Sequence, residues 1–438
     1  MGGTWSKEKK YLCTENLLRR VKKAFRSAEQ LSSQKNKISI TDCLMSGLAV
    51  YGLKYPSLLQ FDQSRHDEVL RHNLKSLYFV DEMPSDTYMR ERLDEVDPLL
   101  LRRGFNDVFS MIQRNKVLES YTFLDGHYLF AVDGTGVFSS YKIHCEHCCE
   151  KHHRDGTITY QHQILGMCLI HPDVKEVIPS YPEPISKGDG ATKNDCESNA
   201  AKRLLRDFKK DHPHLKMIVV QDALSANGPH IRFLEELNIR YIINVTPDGN
   251  SFLFKWLEGV DMEEHVVTPV DGSKWTFRFA NEVPLNDANY DLKVNFLECT
   301  FKDVKGKAIR FTWITDIKLN KLNVYKIARG GRARWRIENE TFNTLKNQGY
   351  EFEHNYGHGY KHLCHVFAYL MMLAFLIDQV QQRCCGLFQA ALKKTVSRIA
   401  LWERLRSIFF HHFIQEWSDV WNAIAYGFKR HVLTPDTS

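Results

Sequence analysis

The sequence lacks an apolar run long enough to cross a membrane, and it lacks a secretory signal at its N-terminus. The longest purely apolar run, residues 366–377, would span roughly 18 Å as a helix, which is well short of a bilayer core. We therefore expect a buried helix there and a cytoplasmic protein. The opening MGGTWS does match the short myristoylation pattern at Gly2 and Ser6, which is often met by chance.

Two further features are absent from the sequence, a phosphate-binding loop and a regular cysteine framework, and their absence limits the classes of function that we expect. The sequence has no glycine-rich phosphate loop of the P-loop type, which argues against nucleotide hydrolysis. Its 11 cysteines form no regular framework, so we interpret them as reduced thiols.

One cysteine-containing segment, HCEHCCEKHH at residues 144–153, is a candidate metal-binding site. Cys145 and Cys148 have C-x2-C spacing, and His152 or His153 follows. A structural zinc ion needs four ligands, so a zinc site would need one more from elsewhere. The candidates for this fourth ligand are Cys168 and Cys196. The alternative is a hairpin tip that carries free thiols.

Positive charge is concentrated at the N-terminus. The net charge of the chain is +6, but residues 1–40 hold ten Lys or Arg and three Glu, a local excess of 10 − 3 = +7. Such an excess fits a surface for nucleic-acid phosphate, and it fits a solubilising helix equally well.

The pattern of apolar residues divides the chain into four regions. Helical spacing dominates residues 1–122, whereas residues 123–249 alternate strands and helices in the order β-β-β-α-β-α-β. Residues 250–318 are rich in strand patterns, and residues 319–438 are again helical. These patterns predict an α/β core that contains a β-rich insertion and is flanked by N-terminal and C-terminal helical regions. The N-terminal region would be a DNA-binding region or a plain helical cap.

Two aspartates stand where the strand pattern calls for apolar residues. Asp133 interrupts the run YLFAVDGTGVFSS, and Asp222 ends the run KMIVVQD. A carboxylate in a buried strand is costly unless it is paired or binds a metal. Aspartates at the carboxyl ends of strands in an α/β sheet also lie where ligands bind, although each one alone would more often cap a turn.

The segment ARWRIENETFNTLKNQGY, residues 333–350, predicts one helix with a third acidic candidate. At 100° per residue, Glu338 falls within the apolar stripe of Trp335, Phe342 and Leu345, and Glu340 falls on the opposite, solvated face. An inward Glu338 needs a cation, either a metal ion or Arg334 one turn earlier. Trp335 is expected in the core, with base stacking as the alternative.

Two aspartates and one glutamate that face inward from separate elements fit the binding of two Mg²⁺ ions. Hard divalent ions prefer carboxylate oxygens. A pair of such ions can activate water or a 3′-hydroxyl and stabilise the leaving oxygen of a phosphodiester.

Several segments carry a family resemblance. The segments AVDGTG, VVQDALSANGPHI and RWRIENETFNTLK resemble the three catalytic segments of bacterial insertion-sequence transposases of the DDE class. The stretches HCEHC, EVIPSYPEPI and KNDCESNAAKRLL add to the resemblance, which covers about residues 130–360. It implies an RNase H-like mixed-sheet core with a β insertion before the glutamate helix, and it implies Asp133, Asp222 and Glu338 as catalytic residues.

The resemblance also implies cofactors, partners and a location. The cofactors would be two Mg²⁺ (or Mn²⁺) ions, and the partners would be double-stranded DNA, both element ends and target, and a second subunit in the synaptic complex. The location would be the nucleoid of a bacterial cytoplasm. Two alternatives remain: a hydrolytic nuclease of the same fold that does not join strands, and a DNA-binding derivative that has lost catalysis.

Related cut-and-paste enzymes carry a Tyr-x2-Arg-x3-Glu-x6-Lys signature on the glutamate helix. This sequence departs from that signature at two positions. Arg334 and Glu338 fit, but Gly331 stands at the tyrosine position and Leu345 at the lysine position, with Lys346 one step beyond. Four basic residues close to Glu338 in the sequence are expected to contact DNA phosphate, with a solvated helix face as the alternative. They are Arg332, Arg334, Arg336 and Lys346.

One histidine-rich stretch, EHNYGHGYKHLCH, follows this helix. Its histidines recur at intervals of three or four residues, but Gly357 and Gly359 break any helix. The stretch is therefore expected to be a loop that leads into the apolar helix, and a DNA-proximal loop is the alternative. Its histidines are His354, His358, His362 and His365.

Overall fold

The computed structural model describes residues 10–29, 37–187, 196–427 and 434–435. The myristoylation pattern at Gly2 and Ser6 and part of the basic N-terminal stretch lie outside the described residues. So do the first residues of the motif KNDCESNAAKRLL.

The described part of the N-terminal region is helical, as predicted. Its helices begin where sequence signals place them: Ser39, Asp67 and Ser85 each accept a hydrogen bond from the backbone of the first turn. The helices are α1 (Thr14–Glu29), α2 (Ile40–Gly52), α3 (Leu58–Gln63), α4 (Glu68–Leu77), α5 (Asp86–Asp94) and α6 (Arg102–Arg114).

The centre of the protein is mixed α/β, with strands and helices close to the predicted bounds. Two short strands, β2 and β5, were not predicted. The strands are β1 (Tyr128–Ser140), β2 (Cys149–His152), β3 (Ile158–His171), β4 (Val174–Pro179), β5 (Glu183–Ile185), β6 (Met217–Gln221) and β7 (Arg240–Asn244). The helices are α7 (Glu197–Asp211) and α8 (Gly228–Glu236).

The predicted β-rich segment extends this same sheet. It contains helix α9 (Ser251–Leu257), which the strand pattern did not predict, and four strands: β8 (Glu263–Val267), β9 (Lys274–Asn286), β10 (Asn289–Lys302) and β11 (Ala308–Thr315). Strand β11 pairs antiparallel with β7 through Ile314 and Ile243. The result is an 11-stranded sheet in the order β2-β3-β1-β6-β7-β11-β10-β9-β8, with β4 and β5 paired to β3.

The register of the central strands places the two aspartates side by side. Strand β1 runs parallel to β6, with Ala131 opposite Val220. Asp133 and Asp222 each lie two residues further along, at the carboxyl end of the parallel pairing. Because side chains in a strand alternate with a period of two, both aspartates leave the sheet at the same edge and toward the same face.

The C-terminal region is helical, but residues 333–350 are not the single regular helix that the sequence predicted. A turn at Ala333–Arg334 with i→i+3 bonds follows α10, and a π-helix covers Ile337–Phe342. Residues 351–362 form the predicted loop. The α-helices are α10 (Val324–Arg332), α11 (Asn343–Asn347), α12 (Leu363–Cys384), α13 (Gly386–Thr395), α14 (Arg398–His411) and α15 (Trp417–Tyr426). A short strand β12 (His412–Phe413) pairs with β13 (Thr434–Pro435).

Helix α12 contains the longest apolar run and is a core helix, as predicted. By length and composition it would pass as a membrane span, but 89% of its apolar window is buried inside the protein. It packs against α2 on one side and β4 on the other, so it joins the helical regions to the sheet.

Candidate active site

Two of the three predicted acidic residues contact one arginine, and the third lies close to them. The guanidinium of Arg334 lies 2.9 Å from Glu338 Oε1 and 3.6 Å from Asp133 Oδ2. Asp222 lies on the neighbouring strand end and is close enough for its charge to act on Asp133. Arg334 is 7% exposed and therefore holds these partners with little solvent screening.

The π-helix is fixed to the sheet by two contacts beside Asp133. Gly166 on β3 is paired with Asp133, and a Cβ at Gly166 would lie 2.9 Å from the ring of Phe342. The missing side chain therefore lets Phe342 pack directly on the strand. Thr341 Oγ1 also lies 3.3 Å from Cys168 Sγ. These contacts hold the segment that carries Glu338 beside Asp133 of β1.

A fourth carboxylate, Glu197 in the first turn of α7, joins the site. A Cβ on Gly134 would lie 2.3 Å from Glu197 Oε1, so the glycine next to Asp133 makes room for this carboxylate. The pKa of Glu197 is raised, first by burial of its carboxylate and then by the charge of Asp222. The sequence signal was its place in KNDCESNAAKRLL, but no spacing rule links that segment to the strands.

The crowding of carboxylates changes the acidity of Asp133. Its pKa is raised from 3.8 to about 6, chiefly by burial; the charge of Arg334 lowers the pKa, and the charges of Glu338, Glu197 and Asp222 raise it. The site therefore has more negative charge than its one arginine neutralises. Such a set of oxygen donors suits a hard divalent cation, which would favour the ionised carboxylates.

The helical wheel was wrong for Trp335, which is 49% exposed rather than in the core. The predicted contrast between the two glutamates is not seen: Glu340 is only partly exposed, and so is Glu338, with 33% of its side chain accessible. The wheel assumed a constant 100° per residue, whereas the chain first tightens at Ala333–Arg334 and then widens in the π-helix. Phe342 and Leu345 are buried as predicted.

The basic residues do not all surround the carboxylates. The prediction for Arg332 was wrong, because its guanidinium lies over the rings of Trp275, Phe301 and Phe311, at 4.9, 4.3 and 5.1 Å. Burial in that aromatic cluster lowers its pKa.

The other two basic residues, Arg336 and Lys346, have partners outside the acidic site. Arg336 donates to the carbonyl of Pro172 at 2.8 Å. Lys346 lies 2.9 Å from Glu353, with 34% of its side chain exposed. Arg334 alone of the four contacts the acidic residues in the described structure.

A second cluster of functional groups lies where the loop after β1 meets β3 and the loop 351–362. Cys145 and Cys148, in the loop between β1 and β2, meet His162 of β3 and His358 of the loop 351–362. One ligand atom from each of the four residues lies within 4.8 Å of the other three. The hydrogen bond from the Cys148 amide to the Cys145 carbonyl, 3.2 Å, forms the tight turn that brings both thiols to one side.

The predicted partners of these cysteines were wrong. His152 lies on the exposed strand β2, 3.3 Å from Glu150. His153 pairs with Thr159. The candidates for the fourth ligand are also elsewhere: Cys168 is buried against Thr341, and Cys196 is exposed before α7.

Comparison of the chain with protein-family models and with curated protein sequences gives no match. The function therefore has to be argued from the geometry of these sites.

Proposed function

We propose that this protein is a DDE transposase that cleaves and joins DNA strands with divalent metal ions. The observation that carries the proposal is the meeting of Asp133 and Glu338 on one buried arginine, beside Asp222. These residues come from three elements that are far apart in the sequence. Partly buried carboxylates that face one another are costly to assemble, so their convergence is expected at a site of function rather than of stability.

The fold supports an RNase H-like core as part of this proposal. Strand β1 is antiparallel to β3 on one side and parallel to β6 on the other, and β6 is parallel to β7. The β-rich segment from β8 to β11 then separates this core from the helical segment that holds Glu338. That is the order of elements implied by the family resemblance.

We expect the site residues to bind two Mg²⁺ (or Mn²⁺) ions, because hard divalent ions prefer carboxylate oxygens. Asp133, Asp222 and Glu338 would hold them, and Glu197 lies close enough to assist. When bound, the ions supply activation of the attacking oxygen and stabilisation of the leaving oxygen at a phosphodiester. Arg334 keeps Asp133 and Glu338 turned toward each other and compensates part of their charge.

The proposed substrate is double-stranded DNA, both the element ends and the target, and two subunits would pair the ends. The N-terminal region has a groove whose lining includes the basic residues Arg65, Arg71 and Lys75 as well as the acidic residues Glu68, Asp81 and Glu82. The exposed Arg71 and Lys75 would contact DNA phosphate. Arg336 and Lys346 would contact phosphate closer to the carboxylates. The setting would be the nucleoid of a bacterial cytoplasm.

The test is a joining assay with labelled DNA that carries the sequences flanking the gene, in Mg²⁺, with wild type and two variants. Glu338→Ala should reduce joined products at least about 100-fold, since it removes a metal ligand rather than a supporting contact. Glu340→Ala, two residues away, is the matched control and should keep activity within a few-fold.

Each outcome has a distinct meaning. Cleavage without joining would favour a hydrolytic nuclease, and binding without cleavage would favour a DNA-binding derivative that has lost catalysis. Activity that survives Glu338→Ala but not Glu340→Ala would overturn the assignment of the acidic site.

A further inference from the structure

The four atoms of the Cys145–Cys148–His162–His358 cluster have the spacing of a tetrahedral metal site. Around a zinc ion, two sulfurs would be about 3.8 Å apart, two nitrogens about 3.3 Å, and a sulfur and a nitrogen about 3.6 Å. The two sulfurs lie 3.9 Å apart and the two Nε2 atoms 3.2 Å apart. The three measured sulfur–nitrogen distances are 3.2, 3.3 and 3.4 Å.

The groups around the cluster orient its ligand atoms as a metal ion would require. His358 Nδ1 donates to the carbonyl of Gly359 at 2.7 Å, which leaves the lone pair of Nε2 directed into the cluster. Cys148 and His162 are each 1% exposed, and His358 is 9% exposed. Burial of two imidazoles and two thiols with their ligand atoms facing one point is costly without a shared partner.

We propose that these four residues bind one structural Zn²⁺ ion. Both thiols would lose their protons to solvent on binding, so that two thiolates and two neutral imidazoles form a site of zero net charge. Four protein ligands close the coordination sphere, and the site would therefore be structural, not catalytic.

The metal would join parts of the chain that are far apart in sequence. His358 is 210 residues from Cys148, and its loop begins directly after the segment that carries Glu338. Cys145 and Cys148 follow β1, which carries Asp133. The zinc site would therefore fix the loop after the glutamate segment to the hairpin of the aspartate strand. This inference does not depend on the proposed transposase activity.

The test is the zinc content of the full-length protein, purified without chelator and measured by mass spectrometry. Wild type should carry about one zinc per chain. His358→Ala and His162→Ala should each lower zinc content at least about tenfold at equal chelator concentration. His354→Ala, in the same loop but exposed, and His152→Ala should retain it. Asp133→Asn should also retain it, which separates this site from the proposed catalytic metals.

A ligand exchange keeps the test decisive if the alanine variants fail to fold. His358→Cys offers a thiolate at the same position and should retain zinc. Cobalt bound in place of zinc should show the visible bands of a tetrahedral ion and a thiolate charge-transfer band. Cys148→Ser should weaken the charge-transfer band, because only the Cys145 thiolate would remain, whereas Cys196→Ser should leave it unchanged. Wild-type protein without zinc or cobalt binding, or a loss in His152→Ala equal to that in His358→Ala, would overturn the proposal.

Discussion

At the scale of single residues, the raised pKa of Asp133 reflects its surroundings. Its carboxylate accepts from the Gly134 amide at 3.1 Å, yet its pKa is raised to about 6 because it is buried and faces other acids. Ionisation of Asp133 is therefore costly in the folded protein, and a bound cation would lower that cost.

Asp133→Asn tests this balance. A pKa raised on folding makes the stability contribution of the acid full at low pH and lost as pH rises through about 6. Without divalent ions, the variant should therefore match wild type near pH 4 and exceed its free energy of unfolding by about 1–3 kcal/mol at pH 8. Urea unfolding at both pH values measures the difference.

Glu340→Gln is the control for loss of a nearby carboxylate and should show a much smaller pH-dependent gain. Adding Mg²⁺ at pH 8 should raise the melting temperature of wild type more than that of Asp133→Asn. A gap between Asp133→Asn and wild type that stays constant from pH 4 to pH 8 would contradict the proposed crowding.

At the scale of elements, the packing of α10 against β11 explains why residue 331 is a glycine. Gly331 in α10 packs against Trp313 of β11, and a Cβ at Gly331 would lie 2.5 Å from the indole ring. No side chain fits there, so helix and strand approach more closely than a tyrosine would allow.

Gly331→Ala should therefore lower the free energy of unfolding by about 1–3 kcal/mol, because overpacking outweighs the gain in helix propensity of at most ~1 kcal/mol. Chemical denaturation measures it. Gly136→Ala, where nothing lies within 4 Å of the added Cβ, is the control and should change stability little. Trp313→Phe combined with Gly331→Ala should cost less than the sum of the single changes; full additivity would rule out this contact as the cause.

At the scale of the whole molecule, the two helical regions are held together through a buried ion pair. Lys54, directly after α2, lies 2.7 Å from Asp378 of α12, with none of its side chain exposed. Its ammonium also lies 4.2 Å from the ring of Tyr350 and 4.3 Å from that of Trp402. The Lys54 ammonium thus connects the N-terminal region to the glutamate segment and to the C-terminal helices.

Lys54→Met should destabilise the protein by about 3–5 kcal/mol, since Asp378 would remain buried without its cation. Lys116→Met is a matched control: both lysines have φ of 58°, but Lys116 pairs with Glu119 at the exposed surface, at 4.0 Å. The control should change stability by less than about 1 kcal/mol. Equal losses in thermal or chemical unfolding would show that backbone conformation, not the ion pair, determines the effect.

The sequence by itself determined the elements whose signals are local. The period of the apolar residues, the positions of glycines and the helix-capping residues predict strands β1 and β6, helix α12 and the loop 351–362. It also selected Asp133, Asp222 and Glu338, because a charge inside an apolar pattern is visible without knowledge of the fold.

Only the tertiary structure decided which side chains meet. The π-helix changed the direction of Trp335, the aromatic cluster took Arg332 away from the acids, and Glu197 entered the site from α7. The partners of Cys145 and Cys148 came from His162 and His358 rather than from the adjacent His152. The apolar period of a segment indicates which face of its own helix or strand is buried. These contacts depend instead on how elements that are distant in the sequence pack together, and a local sequence pattern holds no information about that packing.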